Sequence, residues 1–191
     1  KRLNFQEKIL ETDVELLPYM TSLTHISLVK LPKKQVRNLP ESYEEQNSLV
    51  HLELSHNGLT KAPRGLSATI RRLILNGNKI THIPDSYSQL AKLQDLDIRN
   101  NPIVELPHTL FALRVDTSIW KAHHQQIISS KSLRYLDVSS VANLDLSTIK
   151  ELIPRLKKLT IHHQQFTSLP FASFVFDHFF YMTKKITPQL A

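Results

Sequence analysis

Three stretches decide the fold: LVHLELSHNGLTKAP at 49–63, IRRLILNGNKITHIP at 70–84 and LQDLDIRNNPIVELP at 93–107. All three fit one frame, L-x-x-L-x-L-x-x-N-x-L-x-x-L-P, with Ile replacing Leu in places and Ala62 in the last leucine position of the first. A fourth copy, LKKLTIHHQQFTSLP at 156–170, carries Gln164 in the asparagine position. Weaker units begin at Leu23 and Leu133, and a degenerate one begins at Leu110, so the chain reads as six or seven repeats, irregular near 110–131. The residues in the fourth position are Ile26, Leu52, Leu73, Leu96, Leu113, Leu136 and Leu159, separated by steps of 26, 21, 23, 17, 23 and 23. The step of 17 lies below the usual period of about 20–29 residues, which makes the segment from Phe111 to Lys131 the least regular of the array.

The pattern has a physical reading. The x-L-x-L-x core alternates with period two, as a short strand does when it buries one face. The asparagines Asn57, Asn78 and Asn101 can bond to backbone groups in the turn that follows each strand. Gly58 and Gly77 stand beside two of them, where the turn demands unusual torsions. The L-P step then turns the chain away, because proline lacks a donor and restricts its predecessor. No unit can bury its leucines alone, so the core must come from stacking. The expected fold is an α/β solenoid, with a curved parallel sheet on the concave side and short helices or turns on the convex side.

Such stacks need caps at both ends. Residues 1–22 place Leu3, Ile9, Leu10, Val14 and Leu17 near helical spacing before Pro18, and predict an N-terminal helical cap. The repeats then fill 23–170. Residues 171–191 are rich in aromatics, among them Phe171, Phe174, Phe176, Phe179, Phe180 and Tyr181, and read as a C-terminal cap or, in the livelier alternative, a docking surface. The chain opens without Met and without an apolar signal core, which suggests a piece of a longer protein.

The repeats resemble the leucine-rich-repeat family, and the L-P endings LTKAP, ITHIP, IVELP and FTSLP are similar to its intracellular and bacterial subclasses. The resemblance implies a curved sheet that binds other proteins. With no cysteine in 191 residues, the sequence departs from extracellular members with cysteine-rich caps and is similar to the effectors that bacterial pathogens deliver into host cells. On that reading the protein is cytoplasmic, or secreted into the host cytoplasm. The alternative is a spacer or scaffold that positions neighbouring domains in an intracellular signalling protein.

With positions 4 and 6 inward, positions 3, 5 and 7 line the concave face. The residues expected to meet a partner there are His51, Glu53, Arg72, Ile74, Asn76, Asp95, Asp97, Arg99, Tyr135, Asp137, Lys158 and His162. Ile74 and Tyr135 are candidate anchors among charges, the composition from which protein hot spots are built. Arg72 and Arg99 can pair with the acids or with a partner. His25 and His51 share position 3 and form a candidate pH-sensitive patch.

Other functions find less support. The formal net charge of +7 is not gathered into one continuous run, and acids interrupt the basic clusters, which argues against a phosphate track for nucleic acid. No HExxH, no G-x-S-x-G and no phosphate-cradling glycine loop occurs, and only 3 glycines are present. No run of 18 apolar residues suggests a membrane span. The sequence therefore predicts a monomeric, non-catalytic protein-binding module with no metal and no cofactor.

Overall fold

In the computed structural model, which describes residues 2–6, 14, 16–37, 39–161 and 181–182, the strands form one parallel sheet in chain order. They are β1 (Arg2–Gln6), β2 (His25–Val29), β3 (His51–Glu53), β4 (Arg72–Ile74), β5 (Asp95–Asp97), β6 (Ala112–Asp116), β7 (Tyr135–Ser140), β8 (Lys158–Ile161) and β9 (Tyr181–Met182). Helices α1 (Lys33–Val36) and α2 (Thr117–Ser129), with several 3₁₀ turns, lie in the connections.

The register follows the leucine frame. Ile26 pairs with Leu52, Leu52 with Leu73, Leu73 with Leu96, Leu113 with Leu136, and Leu136 with Leu159. Asp97 pairs with Arg114, which sets the short unit in the same frame. In β2 burial alternates, with Ile26 and Leu28 fully covered and His25, Ser27 and Val29 part-exposed. One core of leucine, isoleucine and valine side chains runs behind the sheet from Val14 to Ile161.

The asparagines close the turns as their side-chain chemistry predicts. Asn57 Nδ2 donates to Leu28 O (2.8 Å), and its Oδ1 accepts from Leu31 N (2.8 Å). Asn78 accepts from the backbone of Asn57 and Leu59 and donates to Leu54 and Leu75 carbonyls. Asn101 accepts from Ile80 N and donates to Leu75 and Ile98 carbonyls. Gly77 adopts φ +70°, and a Cβ there would lie 2.2 Å from the His56 ring, so the neighbouring imidazole needs the bare backbone.

The short unit has a structural cause. After Leu106 and Pro107 the chain enters β6 almost directly, without the 3₁₀ turn Asp85–Gln89 that lengthens the preceding unit. The next connection is then a full helix, α2, in place of the asparagine turn. Asp116 caps it by accepting from Ser118 N and Ile119 N, and also takes Asn100 N at 2.6 Å. Gln126 Nε2 reaches Leu106 O (2.8 Å), tying the helix to the previous unit.

The N-terminal end departs from expectation. Residues Arg2–Gln6 do not begin a helical cap; they form a strand paired with β2 from Arg2↔His25 to Gln6↔Val29. An open parallel edge offers a full ladder of backbone partners, and that outweighs a weak helical spacing. The expected C-terminal cap and the turn of the last repeat, with His162, lie outside the described residues apart from the backbone of β9. No helix among the described residues is long and apolar enough to cross a membrane.

Candidate functional site

The outward face of the sheet carries positions 3, 5 and 7 in three rows across the strands. Row 3 runs His25, His51, Arg72, Asp95, Ala112, Tyr135, Lys158; row 5 runs Ser27, Glu53, Ile74, Asp97, Arg114, Asp137, Thr160. Ser55, Asn76, Arg99 and Ser139 belong to row 7. Of the expected partner-binding residues, all but His162 stand in these described rows.

Arg114, which the sequence reading left out, is the hub of the face. Its Nη2 lies 3.3 Å from Asp95, its Nη1 3.4 Å from Asp97, and its Nε 2.9 Å from Asp137. The Nε makes no hydrogen bond, so the contact with Asp137 is a charge contact with poor alignment. Arg99 clamps Asp97 with both oxygens engaged, at 2.9 and 2.7 Å, and reaches on to Ser140 Oγ at 2.8 Å. Arg72 holds Asp95 at 3.2 Å. Asp137 Oδ1 accepts from Ser139 N and Oγ. Three carboxylates and three guanidiniums thus form one network, with Asp97 buried at its centre at 2% exposure.

The electrostatics follow from this packing. Burial raises the Asp95 pKa, opposed by Arg114 and Arg72. The hydrogen bond to Asp97 makes Arg99 hold its proton more firmly. Of the two alternatives for Arg72 and Arg99, the pairing with acids is the one seen, and Asp95, Asp97 and Asp137 are neutralised within the fold.

Ile74 does not serve as an exposed anchor, because only 7% of it is accessible. Tyr135 remains part-exposed while packing against the core. Beside it opens a depression of about 370 Å³ whose walls include Arg72, Asp95, Arg114, Asp137, Lys158 and Thr160. Ala112 occupies the row between Asp95 and Tyr135 and is fully buried.

The other end of the face carries the histidine pair. The His25 and His51 rings lie 5.6 Å apart, tilted by 39°. Burial lowers both pKa values, with further lowering of His51 by Arg72 and of His25 by Arg2. His51 Nε2 is buried without a hydrogen-bond partner. Ser27 Oγ donates to Glu53 at 2.6 Å, and Asn76 Nδ2 sits 3.5 Å from His56 Nε2.

Arg114 had a sequence signal. Counting from Leu113 as the fourth position places it in row 5, between Asp97 and Asp137. A cation flanked by two acids across adjacent strands is the cross-strand analogue of a salt-bridged helix pair.

Stacked parallel strands joined by asparagine-closed turns define a repeat protein whose core is shared between neighbouring units. Residues 47–103 match the family model described as leucine rich repeat. Among solved structures it is similar to a leucine-rich-repeat protein of Leptospira interrogans, at 21% identity and TM-score 0.45, covering 78% of this chain and 45% of that one. It is also similar to a chain in an octameric complex of Latrophilin 3, Unc5D and the leucine-rich-repeat component FLRT2. There the identity is 20% and the TM-score 0.39, covering 74% of this chain and 61% of that one. This chain thus spans less than two thirds of either. No curated protein matches it.

Proposed function

We propose that the outward face of the sheet is the concave surface of a curved solenoid and that it holds a partner protein, with contact centred on Tyr135 and the depression beside it. The observation that carries this reading is the rigid framing of that depression. The Arg114 network fixes its walls before any partner arrives, and preorganisation lowers the entropy lost on binding. Repeat stacks of this class use extended faces for recognition. We assign the module no catalytic role. Lack of cysteine and the L-P endings further favour an effector delivered by a bacterium to a host protein over a resident scaffold that spaces domains.

The test is cross-linking and affinity capture from eukaryotic and bacterial lysates, comparing the wild type with Tyr135→Ala and with Thr160→Arg, which fills the depression. A partner retained by the wild type and lost by both variants supports the reading, and the lysate that supplies it separates effector from resident protein. A partner indifferent to both substitutions overturns it. Reversing Asp97 or Arg99 is unsuitable as a test, because these groups hold the face together.

A further inference from the structure

We propose that the edge of the sheet where the strands begin is a seat for an acidic polypeptide segment, which defines the chemistry of the partner in the reading above and rests on it. The four residues that precede each of β4 to β8 contain Arg71, Lys92, Lys131, Arg134, Arg155 and Lys157, which are six cations, and no carboxylate. Such one-sidedness is absent from the face itself, where Glu53, Asp95, Asp97 and Asp137 stand among Arg72, Arg99, Arg114 and Lys158.

The backbone holds this edge in line. Arg71 N donates to Val50 O, Gln94 N to Arg71 O, Arg134 N to Phe111 O, and Lys157 N to Arg134 O. Arg71, Gln94, Phe111, Arg134 and Lys157 therefore occupy one row, at about 4.8 Å per strand. Arg71, Lys92, Lys131 and Lys157 are exposed, and Arg134 and Arg155 part-exposed. The guanidiniums of Arg134 and Arg155 are oriented by the carbonyls of Lys131, Leu133, Ser130 and Glu151, not by carboxylates. Carbonyl bonds fix the group and leave its full charge to an incoming anion.

Charge bookkeeping on the face explains why the edge dominates the field. Asp95, Asp97 and Asp137 are consumed by Arg72, Arg99 and Arg114, so they cannot offset the cations one row away. The depression beside Tyr135 adjoins the edge, since Gln94 of that row lines it together with Arg72 and Lys158. An extended acidic segment along the row meets Arg71, Arg134 and Lys157, while one of its side chains enters the depression. Single-stranded nucleic acid asks instead for a series of stacking aromatics beside its cations. Here Phe111, just before β6, and Tyr135 on β7 are the aromatics at hand, and both are partly covered.

The experiment is fluorescence anisotropy of a labelled hexaglutamate peptide with the full chain at low and physiological salt. The comparison variants are Arg71→Glu with Lys157→Glu and, as an equal charge change far from the edge, Lys33→Glu with Arg37→Glu. Binding should weaken with salt and fall by about tenfold or more in the edge variant, with the control variant retaining affinity. Should the edge variant melt early, Arg71→Gln with Lys157→Gln carries the same expectation at a smaller loss.

The proposal is overturned by no peptide binding, by equal loss in both variant pairs, or by tighter binding of an oligothymidylate or of anionic vesicles than of the peptide. Loss of the acidic-segment proposal while a Tyr135-dependent partner persists leaves the recognition face standing. Peptide binding without any Tyr135-dependent partner does the reverse.

Discussion

Replacing Arg114 with Met keeps most of the aliphatic stem and removes the charge that joins β5, β6 and β7. Its side chain is 25% exposed, and it faces Asp97 at 2% exposure, Asp95 at 16% and Asp137 at 17%. Stripping one partner from a fully buried ion pair costs about 3–5 kcal/mol. Here every acid keeps a second partner: Asp97 has Arg99, Asp95 has Arg72, and Asp137 has the Ser139 amide and hydroxyl. Two of the three Arg114 contacts exceed 3.2 Å, and the third is misaligned. The expected loss is therefore about 2–3 kcal/mol, or a fall in Tm of about 4–12 °C for a chain of this size.

The sharper test is a change of sign. In the wild type, Asp137→Asn removes an attraction to Arg114 and should destabilise. In the Arg114→Met background three carboxylates share only Arg72 and Arg99, so Asp137→Asn removes net repulsion and should stabilise. Urea denaturation of the four proteins measures both effects. The deficit of Arg114→Met should also shrink toward pH 4.5. Burial already raises the Asp95 pKa and loss of Arg114 raises it further, so the folded state gains protons relative to the unfolded chain and recovers stability as pH falls. A loss below about 0.5 kcal/mol, or Asp137→Asn acting with the same sign in both backgrounds, refutes the hub role assigned to Arg114.

Four further outcomes are expected. Gly77→Ala should lower stability by more than about 1 kcal/mol, because it adds a positive-φ penalty and a clash with His56; thermal denaturation in a His56→Ala background should recover the clash portion alone. Tyr87→Phe should cost about 1 kcal/mol, because its hydroxyl donates to Pro63 O at 2.9 Å. Tyr43→Phe should be neutral or stabilising, because the Tyr43 hydroxyl is buried without a partner, and urea midpoints of the two variants decide it. Finally, Tm should fall as pH drops below about 6.5, because the folded state depresses the pKa of His25 and His51 and the unfolded chain binds more protons there. The pair faces Arg2, Arg72 and Glu53, and the His25→Gln with His51→Gln variant should show a flatter profile.

The repeat frame was legible because burial and hydrogen bonding both obey it. Leucines at a fixed phase must enter one core, so counting from Leu49, Ile70 and Leu93 yields the strand register that the backbone adopts. The asparagine turns were legible for the same reason, since Asn57, Asn78 and Asn101 each donate to the equivalent carbonyl of the preceding unit, Leu28, Leu54 and Leu75. The N-terminal strand was misread from a helical spacing, although the run Leu3, Asn4, Phe5, Gln6 also alternates with period two; the vacant edge of β2 selects that alternation. Which face charges stay free was not legible at all. Phase places Asp95, Asp97, Arg99 and Arg114 on one face, but only side-chain reach decides that the acids close on the arginines and not on a partner.

The one irregular unit is where the candidate site lies, and the irregularity supplies its parts. Shortening the connection before β6 removes the 3₁₀ turn and brings in a strand whose third and fifth positions hold Ala112 and Arg114. Arg114 gathers acids from both neighbouring strands around it and lines the depression with them. A regular unit with a leucine-flanked polar pair at those positions would have built neither. The following helix repairs what the short unit lacks, since Asp116 accepts from Asn100 N where regular units use a backbone carbonyl of the next strand (His56 N to Asn76 O, Gly77 N to Arg99 O), and α2 covers the core behind the sheet with Ile119, Trp120 and Ile127. Lost regularity behind the sheet is thus compensated locally, and the face in front gains a preorganised hollow beside an uncompensated basic edge.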